Sequence, residues 1–364
     1  MPRESEIVSM IRSRSRERPG QGVEVGIGDD AAVLRQDSSA DLLFCSDLSV
    51  EGVHFRTEWA PPGVIGRKAL AVTLSDIAAM GGQPRFALAS VAFGQGSTMQ
   101  FIEQLLTGML DLASALGVSL AGGDTSASPG PLFIDTSAIG VCDRGRAITR
   151  SGARPGDLVY VTGELGGSAL GLSLLKMGYR LGLDGGNQAD GGNQADGGNQ
   201  ADGGNQAKGG NHEDAARQAA IRRHLFPEPR VRAGQMIGQA GLATAMIDIS
   251  DGLAMDLGHI AEDSKCGVVV FGKLLPMAGP LIQLWSPTAT EGEKDPLHLA
   301  LASGEEYELA FCSRPEAASS IRDLADKLKL PITLIGEVIE GQGLMLEQDG
   351  RPAKIDASGF EHEI

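Results

Sequence analysis

Seven aspartates stand where the surrounding sequence is otherwise apolar, and they constrain the fold more than any other feature. Asp29 and Asp30 follow VEVGIG (23–28), and Asp47 follows LLFCS (42–46). In AGGD (121–124) Asp124 follows a strand-like stretch, and in IDISD (247–251) Asp248 and Asp251 flank the end of another. Asp76 lies inside Val64–Met80, which is apolar nearly all round and therefore reads as a buried helix. Any one of them, Asp251 above all, is equally well explained as a helix cap or a turn residue. For Asp76 that explanation is poor, because a buried carboxylate without a cation is costly. A fold that buries these groups must gather them around positive charge.

The sequence suggests which charge. Its four cysteines, Cys45, Cys142, Cys266 and Cys312, form no CxxC pair, which speaks against zinc and against a disulfide framework. A carboxylate-rich, thiol-poor set suits hard cations such as Mg²⁺ or Ca²⁺. The formal charge of −16 argues against non-specific nucleic-acid binding. It also means that a phosphate-handling chain of this composition needs several Mg²⁺ ions.

At 364 residues the chain has room for two domains, with an expected boundary in the breaker-rich RSGARPGD (150–157). That gives an N-terminal domain over 1–150 and a C-terminal domain over 151–364. Strands are expected at Val23–Ile27, Ala32–Leu34, Leu42–Cys45, Phe86–Phe93, Val118–Ala121, Phe133–Val141, Leu158–Val161, Met246–Ile249, Val268–Phe271, Tyr307–Cys312, Ile332–Val338 and Leu344–Glu347. Helices are expected at Val64–Met80, Thr98–Leu116, Gly167–Met177, Ala215–His224, Val231–Ala240, Leu253–Asp263 and Pro315–Leu328. The mixture is α/β, or α+β, in two halves. The unit GGNQAD starts at Gly185 and recurs at Gly191, Gly197 and, altered, at Gly203 and Gly209. Its only apolar residue is Ala, so a flexible loop over 185–214 is expected, outside the fold.

No run of about 18 apolar residues suggests a membrane span. Residues 1–20 lack a signal-peptide core, and their arginines alternate with Glu4, Glu6 and Glu17 as on a solvated helix face. A cytoplasmic location is expected. Phosphate loops of the usual kinds are absent. GVVVFGK (267–273) lacks the following Ser/Thr and reads as a strand. GELGGS (163–168) opens a helix and would suit an anion, or simply tight packing.

Seven motifs then occur in one order: GIGDDAAV (26–33), SDLSVEGVHF (46–55), KALAVTLSDIAAMGG (68–82), AGGDT (121–125), GRAITRSGARPGD (145–157), IDISDGL (247–253) and SGEEYEL (303–309). Together they resemble the thiamine-monophosphate kinase family, within the aminoimidazole-ribonucleotide-synthetase-like ATP-binding superfamily. The likeness spans nearly the whole chain apart from the repeat. It implies a two-domain, PurM-like subunit whose N-terminal domain completes a β-barrel across a homodimer interface. It implies transfer of the γ-phosphoryl group of ATP to thiamine monophosphate, giving thiamine diphosphate and ADP. By matching motif positions, it implies that Asp30, Ser46, Asp47, Asp76, Asp124 and Asp248 hold Mg²⁺, with Asp29 beside them and Asp251 on a further ion. Gly123, Asp124, Arg150 and Ser250 would meet ATP; His54, Glu305 and Phe360 would meet the thiamine substrate. Asp76 and Arg150 would carry most of the catalysis. Cys45 departs from the family, which has a hydroxyl residue there.

Other members of the superfamily are the nearest rivals. Aminoimidazole ribonucleotide synthetase would activate an amide oxygen with the same metals. Selenide-using relatives need a cysteine or selenocysteine near the N-terminus, and Met1–Asp30 has no Cys. Carbamoyl-dehydrating relatives carry a Cys in the tail, whereas this sequence ends FEHEI. A non-catalytic metal- or nucleotide-binding scaffold would not need all seven acidic positions.

Overall fold

A computed structural model describes residues 23–25, 29–35, 39–182, 209–285 and 295–355. Phe360, the charged N-terminal segment and the repeats from Gly185 up to Gly209 lie outside the described residues.

The first unit is built from β1 (Val23–Val25), β2 (Ala32–Arg35), β3 (Ala40–Val50), α1 (Pro62–Ala79), β4 (Gln83–Phe93), α2 (Met99–Leu116), β5 (Ser119–Ala127) and β6 (Phe133–Asp143). Its strands lie in the order β1-β2-β3-β6-β4-β5, antiparallel except for the β4–β5 pair. β6 shows why it is a strand covered on one side: Ile134, Thr136 and Ala138 are buried, and the residues between them are not. The buried face receives α1. The other face leaves Phe44, Leu48, Phe86 and Leu88 exposed.

The second unit follows as β7 (Leu158–Thr162), α3 (Gly167–Lys176), α4 (Gly209–Leu225), α5 (Val231–Ala240), β8 (Ala245–Asp248), α6 (Leu253–Ser264), β9 (Gly267–Phe271), α7 (Gly279–Leu284), α8 (Pro296–Ala302), β10 (Leu309–Ser313), α9 (Ala318–Leu328), β11 (Ile332–Ile339), β12 (Gly343–Gln348) and β13 (Arg351–Lys354). Its sheet has the order β13-β12-β9-β11-β7-β10-β8.

α1 is apolar all round because it has neighbours all round. It packs on β3, β6 and α2 in its own unit and on α5 and β8 of the other. The contacts are backbone-close: a Cβ at Gly66 would lie 2.1 Å from Leu105 O, and one at Gly234 would lie 2.0 Å from Ala78 O. No described helix is long and apolar enough to cross a membrane.

Four of the differences from the sequence expectation have a clear physical reason. β3 runs on to Val50, paired throughout with β6, so Asp47 lies inside a strand and not at its end. β5 continues through the two glycines to Ala127 by parallel pairing with β4, so Asp124 is also within a strand. β10 starts at Leu309, because Tyr307 takes a left-handed φ of 52° that no strand admits. α4 begins at Gly209, so the last repeat copy, expected as loop, is helical. That copy carries Glu213 and Asp214, which pair with Arg217 one turn on; in the sequence of the GGNQAD copies Asn and Gln stand three and four residues after the Asp.

Candidate active site

The buried face of the first sheet, α1 and the end of β8 enclose a knot of carboxylates. Asp76 comes from α1, Asp248 from the last position of β8, and Asp30 from the turn before β2. One carboxylate oxygen from each of the three lies within 4.8 Å of the other two. Asp47 acts on Asp76 and Asp248 electrostatically from β3, as the inward neighbour of Cys45. Asp29 adjoins Asp30 and accepts the Arg150 backbone N–H at 3.2 Å.

Burial and mutual repulsion raise every one of these carboxyls. Burial pushes Asp248 up to about 8, aided by Asp30, and pushes Asp47 up to about 6. Asp29 reaches about 7 through burial and Asp30, with Arg150 opposing. Asp76 is raised well above the ordinary carboxylate range, by burial and then by Asp47 and Asp248. The Arg150 guanidinium answers only part of this charge: its Nη2 lies 2.5 Å and its Nε 3.2 Å from the same oxygen, Asp30 Oδ1. Asp30 Oδ2 and Asp47 Oδ2 are buried with no hydrogen-bond partner. Orphaned oxygens on adjacent, mutually repelling carboxylates are what a hard divalent cation satisfies, so this donor set fits Mg²⁺.

Two of the expected ligands lie elsewhere. Ser46 projects to the outer face of the sheet, where its Oγ lies 2.9 Å from Ser137 Oγ and 3.0 Å from Asp135 Oδ1. The reason is strand alternation: Ser46 and Asp47 are neighbours on β3 and so face opposite ways. Asp124 is exposed on the edge strand, in register with Ser90, which in turn pairs with Asp135. The side chains of Ser46 and Asp124 thus belong with Asp135 on the outer face, apart from the Asp30–Asp76–Asp248 knot. Gly123 has no room for a side chain, since a Cβ would lie 1.8 Å from Ala89 O. Cys45 donates to Thr73 O at 3.2 Å, and burial pushes its thiol up, so it is a packing residue and not a thiolate.

A second group of residues adjoins the first. The 303–308 segment is laced to the strand end at Asp248: Glu305 N–H donates to Ser250 O at 2.7 Å and Tyr307 N–H to Ile249 O at 2.9 Å. Glu305 meets Lys68 from α1 and His224 from α4. Glu308 is gripped by Arg230 and accepts from Thr162 Oγ1 at 2.6 Å. Glu306 accepts the Ser168 N–H at 3.1 Å, so the amide end of α3 is already taken by a carboxylate. This accounts for GELGGS (163–168) by packing: a Cβ at Gly163 would meet the Glu308 carboxylate, and one at Gly166 would meet Leu281. His54 closes the turn after β3, its Nδ1 accepting from Val50 N–H at 2.9 Å. It is close enough to Glu305 to lower that carboxyl. Asp251, with Gly252, donates its backbone N–H to Asp256 in the first turn of α6.

Ser75 was not among the expected site residues, although it adjoins Asp76 in its motif. Its Oγ donates to Asp248 Oδ2 at 2.6 Å. Lys68 and His224 were missed as well; one is hidden in an apolar helix and the other in an ordinary charged one.

Family models for AIR synthase related proteins match the chain twice: the N-terminal domain over residues 28–142 and the C-terminal domain over 154–348. The thiamine-monophosphate kinase of Bacillus subtilis is 36% identical over 342 residues, covering 93% of this chain and 94% of that protein. The crystal structure of thiamine-monophosphate kinase from Stenotrophomonas maltophilia superposes with a TM-score of 0.72 at 33% identity, covering 95% of this chain and 96% of that one. A structure of AaThiL complexed with AMPPCP and TMP superposes with a TM-score of 0.77 at 28% identity, covering 99% and 97%.

Proposed function

The chain belongs to the thiamine-monophosphate kinase family, and on that premise we propose how its residues carry out the family's reaction. The reaction is transfer of the γ-phosphoryl group of ATP to thiamine monophosphate. The observation that carries the residue assignment is the knot of Asp30, Asp76 and Asp248 with its orphaned oxygens.

Asp30, Asp76 and Asp248, joined by Asp47 and flanked by Asp29, would hold Mg²⁺ on the inner side. Ser46 and Asp124 would serve ions on the outer face, and Asp251 a further one. The ions would supply neutralisation of the charge that builds up when two phosphates meet. Arg150 is held against Asp30 by its guanidinium and stands ready to pair with a phosphate of ATP. Gly123, Asp124 and Ser250 complete the nucleotide side, and His54, Glu305 and Phe360 the acceptor side. The acceptor is a phosphate monoester with a second pKa near 6, so at neutral pH it is mostly a dianion. No side chain has to remove a proton from it, and His54 accordingly acts in binding.

The outer face of the first sheet, with Phe44, Leu48, Phe86 and Leu88 exposed, supports pairing with a second copy of the chain to close a barrel. The free thiols of Cys45, Cys142, Cys266 and Cys312 support a reducing, cytoplasmic setting.

The test is product analysis with ATP, Mg²⁺ and thiamine monophosphate as the only acceptor. ADP and thiamine diphosphate in equal amounts are expected. ADP without a phosphorylated thiamine product would overturn the reading.

A further inference from the structure

Lys68 is buried within α1, directly before the apolar run ALAV (69–72). A buried ammonium requires an anion and hydrogen-bond acceptors. Its Nζ lies 2.8 Å from Glu305 Oε1 and 3.4 Å from His224 Nε2. An ammonium only donates, so Nε2 accepts, and the proton of the neutral ring sits on Nδ1. Nδ1 lies 3.1 Å from Ser168 Oγ and 3.5 Å from Glu305 Oε2. One oxygen of the Glu305 carboxylate is therefore held by the ammonium from α1, and the other lies beside the His224 ring from α4. Burial and the Lys68 charge push His224 down to about 3, which keeps the ring neutral. Burial alone would raise the Glu305 carboxyl; Lys68, the foremost of the groups that oppose it, and the neighbouring histidines together hold it below its ordinary value. The backbone adds its own constraint. Glu305 has a φ of 61° and Tyr307 one of 52°, a region that costs a side-chain-bearing residue about 1 kcal/mol or more. The fold thus bears strain to aim this one side chain, which is 27% exposed.

We propose that Lys68 and His224 are positioning residues for the acceptor subsite, fixing the Glu305 carboxylate so that its exposed edge receives the amine-bearing, cationic part of the acceptor. The inference rests on the thiamine-monophosphate reading and on Glu305 meeting that substrate. Lys68 also cancels the charge of Glu305, so the carboxylate does not repel the acceptor's phosphate.

The experiment has two arms. In steady-state kinetics on the full chain, Lys68→Met is expected to raise KM for thiamine monophosphate at least tenfold. KM for ATP and kcat should stay within about threefold, the pattern of lost uniform binding. Lys68→Arg should recover most of the loss, and His224→Gln should raise the same KM more modestly. The second arm is ¹⁵N NMR of the wild-type imidazoles. His224 should appear as the neutral Nδ1–H form and shift with thiamine monophosphate but not with ATP. A fall in kcat at fixed KM, an equal rise in both KM values, or an Nε2–H or charged ring would overturn the inference. If Lys68→Met does not fold, His224→Gln and the wild-type spectrum decide alone. A wild type that fails to phosphorylate thiamine monophosphate would defeat the functional reading. An active wild type with unaffected variants would defeat only this inference.

Discussion

Ser75 Oγ donates a 2.6 Å hydrogen bond to Asp248 Oδ2, and both residues are buried. The bond joins α1 of the first unit to the last residue of β8 in the second, at the base of the carboxylate knot. It therefore serves the packing of the two units and the aim of a proposed metal ligand at once.

Ser75→Ala should cost about 1–3 kcal/mol, as expected when a buried carboxylate loses a hydrogen-bond donor. Chemical denaturation without divalent ions measures it. Turnover should fall as well, since Asp248 is freed to rotate. An unchanged midpoint together with wild-type turnover would show that the bond has no consequence.

Asp76→Asn separates stability from activity. Burial and the neighbouring carboxylates raise Asp76 well above the carboxylate range, so in the metal-free protein its charge is a burden. The variant should unfold at an equal or higher temperature without Mg²⁺. It should also lose at least several hundred-fold in turnover, the scale of a lost stabiliser of transition-state charge. Near-normal turnover at saturating Mg²⁺ would remove Asp76 from the proposed ligands.

The knot was legible in the sequence because its members break an apolar pattern: Asp76 is conspicuous among Leu74, Ile77 and Ala78. The helix around it was legible for the same reason. What the pattern did not carry was direction. Ser46 and Asp47 are adjacent, yet strand alternation sends them to opposite faces, and the length of β3 follows from its pairing with β6, whose nearest partner, Phe133 opposite Val50, is 83 residues away. Lys68 was hidden by the apolar helix around it, and its partners His224 and Glu305 are 156 and more residues distant. A cation that completes a site from so far along the chain leaves no local signature.

Gly66→Ala tests the close approach of α1 and α2. Its Cβ would lie 2.1 Å from Leu105 O, a backbone atom that no rotamer change can move. A loss of about 3 kcal/mol is expected, the upper range for overpacking. A stability within 0.5 kcal/mol of wild type, about the scatter of surface changes, would mean that the helices sit farther apart.

Replacing residues 185–208 with a short Gly/Ser linker should leave stability within about 1 kcal/mol, because closure entropy varies slowly with loop length. The near end of the segment is already tied down. Gly182 N–H donates to Gln218 Oε1 at 2.8 Å, and Gln218 Nε2 donates to Arg180 O at 3.0 Å. Loss of folding or of self-association in the shortened chain would make the repeat structural.

The pH dependence of stability should carry the mark of His224. Burial first, then the ammonium groups of Lys68 and Lys176, lower its pKa from 6.5 to about 3, with Glu305 opposing. Between those values the unfolded chain binds a proton that the folded protein refuses. The stability this site contributes is therefore fully present above pH 6.5 and is lost progressively as the pH falls toward 3. The slope for one proton is at most about 1.4 kcal/mol per pH unit. His259, lowered to about 4 mainly by burial, adds a slope of the same sign, so the absolute profile does not isolate either ring. The difference between wild type and His224→Gln does. Unfolding free energies at pH 7.5, 6.5, 5.5 and 5.0 should show wild type losing ground to the variant by roughly 1 kcal/mol per unit below pH 6. Parallel profiles would mean that the folded protein accepts the proton on His224. In that case Nε2 could not be accepting from Lys68, and the tautomer inferred for the clamp on Glu305 would be wrong.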